Sequence, residues 1–182
     1  MSILPLKAIP KISTLSNGLR VATIPIQSDI STIGIWVKSG SIYENKENNG
    51  VSHYLEHIIF RGNDTYPQSR LEEITDLYGI NIKAQTTRTT TSFSAEISNK
   101  NLDIASDLLS QMVFNPKIAD EAVENERATI ITEENEVNHN YEEVIWDSLH
   151  AIAYPDSPVG FPILGSHKNI QSITTRMIKD QH

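Results

Sequence analysis

The order of strand-like and helix-like segments is the feature that most restricts the fold of this 182-residue chain. Alternating apolar residues predict a β-hairpin over 12–26, with Asn17-Gly18 at its turn, and a third strand over 31–38. Helical periodicity and stop signals predict five helices, and threonine-rich and isoleucine-rich segments predict two more strands. The helices cover 50–60, 69–78, 101–113, 119–138 and 141–153, and the strands cover 80–86 and 89–98. This interleaved order indicates an α+β fold, with a mostly antiparallel sheet packed with helices.

Charge and composition exclude several classes of function. The net charge of −8 argues against a nucleic-acid binder and suits a basic substrate or partner. The sequence contains no cysteine, so any metal ion must be bound by histidine and carboxylate side chains. No apolar run approaches the roughly 18 residues that span a bilayer, so we predict no membrane span.

The two ends of the sequence give separate expectations. Residues 1–28 contain no acidic side chain, which is typical of mitochondrial targeting segments, but the predicted hairpin occupies much of that stretch. We therefore expect at most a short leader or disordered arm over 1–11 and one folded domain over 12–182. The chain stops at a helix-like stretch, residues 175–182, with no terminating signal.

The predicted helix over 50–60 carries the pattern His53-x-x-Glu56-His57. Side chains at i and i+4 share one helix face, so the two imidazoles can converge on one divalent ion, and neutral imidazole suits zinc. Glu56 lies on the same side and is placed to accept a proton from water. The alternative is a helix whose histidines are exposed or merely hydrogen-bonded.

A catalytic zinc ion usually has three protein ligands, so a third must come from elsewhere. The predicted helix over 119–138 is rich in glutamate, and most of these side chains are expected to form a solvated face. Glu126 and Glu133 are seven residues apart and share a face, whereas Glu134 is rotated by about 100° from Glu133. Periodicity alone does not decide which face meets the histidines.

Four segments make the sequence resemble the pitrilysin/insulinase family of zinc peptidases and, within it, the branch of mitochondrial processing peptidases. These segments are 50–62, 126–133, 143–150 and 163–166, and the resemblance extends from Leu15 to Ile173. It implies the sheet-and-helix half unit of that family. Because family members have two homologous halves, it also implies that this chain corresponds to the N-terminal half and stops before the last strand of that half.

The resemblance also implies roles for individual residues. His53, His57 and Glu133 would bind one zinc ion per chain, Glu56 would be the general base, and Glu126 would support the site through a ligand. Glu143 and Asp147 match acidic positions that receive an arginine upstream of the cleavage site. Their alternative role is a solvated helix face.

Two further positions concern the substrate. Phe60 matches a residue that packs against a large side chain after the cut, although a core phenylalanine is an equal alternative. The family strand usually reads Asn-Ala followed by a polar or aromatic residue and Thr, and here it reads Lys83-Ala84-Gln85-Thr86. Lys83 could repel a basic peptide, bind a substrate carbonyl or pair with Glu56. His139, His150 and His167 have no partner at metal-binding spacing and are interpreted as structural.

The resemblance therefore implies a zinc metalloendopeptidase that removes basic N-terminal targeting peptides from imported organellar proteins. It would be a catalytic beta-type subunit with an alpha-type partner, in the mitochondrial matrix or a related organelle, or else in a bacterial cytoplasm. The alternatives are a non-catalytic relative like the core subunits of a respiratory complex, or a peptidase with broader substrates. The 182 residues alone are expected to bind zinc but to cleave poorly or not at all.

Overall fold

The computed structural model describes residues 9–182, and the structural statements below concern that part of the chain. Within it the chain forms five strands and seven α-helices. The strands are β1 (Lys11–Thr14), β2 (Arg20–Thr23), β3 (Ile30–Val37), β4 (Asn81–Thr86) and β5 (Thr91–Ser98). The helices are α1 (Val51–Ile59), α2 (Gln68–Tyr78), α3 (Leu102–Phe114), α4 (Asp120–Val137), α5 (Tyr141–Ala153), α6 (His167–Ser172) and α7 (Thr175–Gln181).

The strands form two antiparallel sheets. β1 and β2 make a separate hairpin, with Thr14 opposite Arg20. β5 lies in the centre of the second sheet, where its Phe93 is opposite both Ile35 of β3 and Ala84 of β4. β4 is therefore an edge strand in the described part of the chain, and one row of its backbone groups is open to a further strand.

The core lies between the three-stranded sheet and the helices. Alternate residues of β5, including Phe93, Ala95 and Ile97, are buried on the face that packs against α3. α1 occupies the middle of the molecule, since it packs against α4, α7 and β4. Its Tyr54 and Ile58 are fully buried, so the helix that carries the histidine motif is held on several sides.

The α+β class and the antiparallel pairing predicted from the sequence are confirmed. β5 begins at Thr91, two residues later than predicted, because Thr87 and Thr90 close a tight turn after β4. The short helix α6 was not predicted, and it begins where the side chain of Ser166 accepts a hydrogen bond from the backbone N–H of Asn169. Most of the expected leader over 1–11 lies outside the described residues.

No helix within residues 9–182 combines the length and the apolarity that a bilayer span requires.

Candidate active site

The site is built where the middle of α1 faces α4. His53 and His57 lie one turn apart on α1, and their ring centroids are separated by 4.7 Å. Glu133 of α4 contacts both rings, with its Oε1 3.5 Å from Nε2 of His53 and its Oε2 3.0 Å from Nε2 of His57. Periodicity did not decide which face of α4 meets the histidines. The structure shows that it is the face that carries Glu133.

These three side chains can hold a metal ion. Among the described residues, one ligand atom from each of His53, His57 and Glu133 lies within 4.8 Å of the others. A tetrahedral zinc ion with bonds of about 2.0–2.1 Å needs ligand atoms about 3.3 Å apart. The two nitrogen–oxygen separations given above involve different oxygens of Glu133, and a carboxylate that binds through one of them leaves, with the two imidazoles, a coordination position open. The donor set and its spacing therefore fit a catalytic zinc ion.

The charge of Glu133 is stabilised where it stands. Hydrogen bonds from His53 and then from His57 hold the pKa of the Glu133 carboxyl well below its usual range, against the opposing effect of partial burial. The carboxylate is therefore ionised at neutral pH, as a metal ligand must be.

A second carboxylate of α4 orients one of the two histidines. Glu126 is 4% exposed, and its Oε2 lies 3.2 Å from Nδ1 of His57. Its other oxygen, Oε1, forms an ion pair with Arg61, which follows α1. A buried carboxylate without a cation would be costly, so Arg61 compensates the charge that Glu126 presents to His57. This arrangement leaves Nε2 of His57 directed at Glu133.

Glu56 has a hydroxyl partner that the sequence motif does not reveal. The side chain of Thr86, at the end of β4, donates a hydrogen bond to Oε2 of Glu56. Thr86 also lies 3.3 Å from the hydroxyl of Thr91 across the sheet. Because Thr86 occupies only one carboxylate oxygen, Oε1 of Glu56 is left to accept a proton.

The start of α1 is fixed by a buried carboxylate from the preceding loop. Glu44 is 4% exposed, and its Oε2 accepts hydrogen bonds from the backbone N–H of Gly50 (2.7 Å) and from the Asn49 amide (2.9 Å). Its Oε1 accepts from the backbone N–H of Ser52 at 2.8 Å. Gly50 itself gives no side-chain cap and has a φ of 99°. Glu44 therefore takes the place of the missing N-cap side chain at the start of α1, directly before the histidine motif.

A cleft of about 590 Å³ opens beside Glu56 and His57. Its apolar lining includes Phe60, Leu71, Ile82 and Met112. Phe60 is 36% exposed, so it is a wall of this cleft and not a fully buried core residue. The cleft provides room for an apolar side chain next to the predicted metal site, and the role of Phe60 in binding substrate stays a prediction.

Lys83 does not contact Glu56. Its ammonium group lies 3.6 Å from Oε1 of Glu96 on the adjacent strand, and both side chains are exposed. Successive side chains of a strand point to opposite faces, so Lys83 and Thr86 lie on different faces of β4. The possibility that Lys83 pairs with the predicted general base is therefore wrong, whereas its effect on a bound peptide remains a prediction.

Glu143 and Asp147 lie one turn apart on α5, but their surroundings differ. Glu143 is exposed and accepts a hydrogen bond from the Asn140 amide at 3.0 Å. Asp147 is half-buried and forms an ion pair with Arg88, whose Nη2 is 2.6 Å from its Oδ1. The two carboxylates are thus not equivalent, and their role as arginine receptors stays a prediction.

Three further histidines contact carbonyl or carboxylate oxygens away from this site. Nδ1 of His139 and Nδ1 of His150 lie 2.6 Å and 2.7 Å from helix carbonyl oxygens four residues earlier, and His167 contacts Glu134 at 2.7 Å. None of them belongs to the metal-type group found among residues 9–182. These contacts agree with the structural role predicted for them.

Comparison with known proteins identifies the family. Residues 20–167 match the family model described as Insulinase (Peptidase family M16). The chain belongs to this family of peptidases, which confirms the resemblance inferred from the motifs.

Named relatives narrow the similarity further. The chain is 40% identical over 181 residues to the mitochondrial-processing peptidase subunit beta of Dictyostelium discoideum, covering 98% of this chain and 38% of that protein. It is 41% identical over 169 residues to the subunit of the same name from Saccharomyces cerevisiae, covering 92% of this chain and 37% of that protein. The chain thus spans less than two fifths of the length of these relatives.

A solved structure supports the fold alone. The crystal structure of a protease from Helicobacter pylori matches 97% of this chain and 43% of its own, with a TM-score of 0.90 and 23% sequence identity.

Proposed function

We propose that this chain carries the catalytic metal centre of a zinc metalloendopeptidase that removes N-terminal presequences from imported mitochondrial proteins. The observation that supports this most strongly is the convergence of His53, His57 and Glu133 on one point, with Glu56 beside them. Membership of the peptidase family and the similarity to subunits named mitochondrial-processing peptidase beta agree with it.

In this proposal His53, His57 and Glu133 hold the ion, and Glu126 keeps His57 oriented. Zinc, when bound, supplies Lewis acidity toward a carbonyl oxygen and toward water. Oε1 of Glu56 accepts a proton from the attacking water. Glu56 then returns this proton to the leaving amine. Thr86 fixes the other oxygen of Glu56, so the carboxylate does not have to reorient for each transfer.

The peptide would bind along the open edge of β4. An extended peptide that pairs with an edge strand gains backbone hydrogen bonds whatever its sequence. This mode of binding suits substrates of varied sequence. Ile82 faces the cleft and Thr86 contacts Glu56, so a peptide paired with β4 would pass beside the base. The side chain after the cut would enter the cleft beside Phe60.

The net charge of the chain and the names of its relatives support a proposed substrate class and partner. The net charge of −8 suits basic targeting peptides. Because the similar proteins are named beta subunits, we propose an alpha-type partner and a mitochondrial location. Since the chain spans only part of its relatives, activity belongs to the full-length protein with that partner.

The proposal is tested by the hydrolysis of a presequence peptide by the full-length complex and by its Glu56→Gln variant. Loss of a general base lowers kcat by about 10²–10⁴-fold, and zinc content should not change. Glu136→Gln is the matched control, because Glu136 is an exposed glutamate at the end of α4. Cleavage by the Glu56 variant at the wild-type rate would refute the role of Glu56. Absence of zinc from the wild-type complex would favour a non-catalytic relative instead.

A further inference from the structure

Thr86, the partner of Glu56, has a second hydroxyl group beside it. Thr86 of β4 and Thr91 of β5 are opposite each other in the sheet, and their hydroxyl oxygens are 3.3 Å apart. A hydroxyl group has one hydrogen to donate, and Thr86 donates its hydrogen to Oε2 of Glu56. The hydrogen that lies between the two threonines must therefore belong to Thr91, so Thr91 donates to Thr86.

The hydroxyl of Thr91 is also anchored on its other side. Thr91 is 5% exposed, and its Oγ1 lies 3.2 Å from the carbonyl oxygen of Ser39. Its hydrogen is thus shared between this carbonyl and Oγ1 of Thr86. Hydrogen bonds in a buried chain polarise one another, and a fully satisfied chain makes a site rigid. Thr91 therefore directs the hydrogen of Thr86 at the carboxylate of Glu56.

Ser39 is fastened to the helix that carries Glu56. Ser39 and Ser52 are both buried, and their hydroxyl oxygens are 3.3 Å apart. The side-chain amide of Gln181 in α7 donates to each of these oxygens at 3.0 Å. Ser52 lies four residues before Glu56, so the two side chains share one face of α1. The contacts form a closed polar circuit, which consists of Glu56, Thr86, Thr91, Ser39 and Ser52.

The backbone around this polar circuit is also held in place. The backbone N–H of Ile42, in the loop after β3, donates to the carbonyl of Arg88, in the turn after β4, at 3.0 Å. A Cβ at Gly40 of the same loop would lie only 2.4 Å from the carbonyl oxygen of Thr87. The loop and the turn are therefore in direct contact, so Ser39 and Thr91 cannot separate unless these contacts break.

We propose that Thr91 is a positioning residue for the predicted general base. It acts through Thr86, whose hydroxyl hydrogen it directs at Oε2 of Glu56, and it thereby keeps Oε1 facing the reacting water. This inference rests on the proposed function, because the role of Glu56 as a base belongs to that proposal. The ordering of Thr86 by Thr91 is a separate physical effect that can be measured without catalysis.

The kinetic test uses the full-length complex and a presequence peptide. Thr91→Val replaces the hydroxyl with a methyl group, so kcat should fall about fivefold, the scale of one neutral hydrogen bond, while KM stays within about twofold. Thr91→Ser keeps the hydroxyl and should retain the wild-type kcat. Thr91→Cys, whose S–H is a weak donor, should give an intermediate kcat. Thr89→Val is the matched control, because Thr89 is exposed on the same turn, and its kcat should be unchanged.

A double-mutant cycle with Thr86→Val distinguishes positioning from a merely structural role. If Thr91 acts through Thr86, Thr91→Val should cause no further loss of kcat in protein that already carries Thr86→Val. A structural role would lower kcat by the same factor in both backgrounds, and that result would overturn the proposal.

A second readout does not depend on catalysis. Methyl NMR of the full-length complex, labelled with 13C at the threonine methyl groups, measures the order parameter of the Thr86 side chain. Thr91→Val should lower this order parameter, and Thr91→Cys should lower it less. Thr91→Ser and Thr89→Val should leave it at the wild-type value.

The two measurements separate this inference from the proposed function. A less ordered Thr86 in the Thr91→Val protein, together with a wild type that does not cleave, would support the ordering by Thr91 and refute the proposed catalysis. An order parameter of Thr86 that does not respond to Thr91→Val or Thr91→Cys would overturn the inference, whether or not the wild type cleaves.

Discussion

Replacing Glu44 with glutamine removes one charge and almost no volume, at a position in front of the helix that carries His53 and His57. The Glu44 carboxylate is buried and accepts three hydrogen bonds, from the backbone of Gly50 and Ser52 and from the side chain of Asn49. The first backbone N–H groups of a helix have no partner within it, so these bonds satisfy donors at the start of α1. We expect Glu44→Gln to destabilise the protein.

The magnitude follows from those contacts. A hydrogen bond to a charged group contributes about 1.5–3 kcal/mol, and a negative charge at a helix start contributes about 0.3–1 kcal/mol more. Glutamine keeps one acceptor oxygen but places an NH2 group against the donors that faced the other oxygen. At least one charge-assisted bond is lost and one buried donor is left unpaired, so the expected loss is about 3 kcal/mol.

The assay is urea unfolding of metal-free protein followed by circular dichroism. For an m-value of about 2 kcal/mol per M, the loss should lower the unfolding midpoint by about 1.5 M without a change in m. Glu47→Gln is the matched control, because Glu47 lies in the same loop and is exposed; its effect should stay within about 0.5 kcal/mol. Equal midpoints for the two variants would refute the view that Glu44 anchors α1.

Three further results are expected. Glu133→Gln should weaken zinc binding by more than the ~10–100-fold that is typical when a hydrogen-bond partner of a ligand is lost. Glu134→Gln should leave zinc affinity nearly unchanged. A competing chelator measures both affinities. Gly50→Ala should lower the thermal midpoint of unfolding more than Gly79→Ala. Both glycines have positive φ, so both substitutions strain the backbone. A Cβ at Gly50 would also lie 2.4 Å from a backbone oxygen, whereas a Cβ at Gly79 would meet nothing within 4 Å. Burial raises the pKa of Tyr54 to about 12, so the stability from its neutral phenol is complete below pH ~10 and lost as the pH rises towards 12. Wild-type protein should therefore lose more stability than Tyr54→Phe between pH 9 and pH 11, and equal losses would contradict this.

Local patterns account for what the sequence predicted well. α1, α4 and α5 have periodic apolar residues and clear boundaries, and the strands β4 and β5 have strong β-forming residues. The spacing of His53, Glu56 and His57 within one helix predicted that their side chains share a face. Such features depend on residues close in sequence, which is why they could be read without a structure.

Contacts between distant segments account for what was missed. Thr86 reaches Glu56, Arg61 pairs with Glu126, and Arg88 pairs with Asp147, yet neither partner of these pairs carries a local signal for the other. The loop before α1 supplies Glu44, a role that its polar residues do not by themselves predict. The one hint of this contact in the sequence is that Glu44 lies six residues before Gly50, which gives the helix no side-chain cap. The predicted third ligand, Glu133, came from the family resemblance and not from periodicity.

The central claim is tested most directly by the dependence of presequence cleavage on zinc in the full-length protein with its alpha-type partner. Removal of metal by a chelator should abolish cleavage, and one equivalent of zinc per chain should restore it to the wild-type protein. The same addition should not restore cleavage to a His53→Ala/His57→Ala variant. Cleavage that persists at the full rate in protein shown to be free of metal would contradict the account.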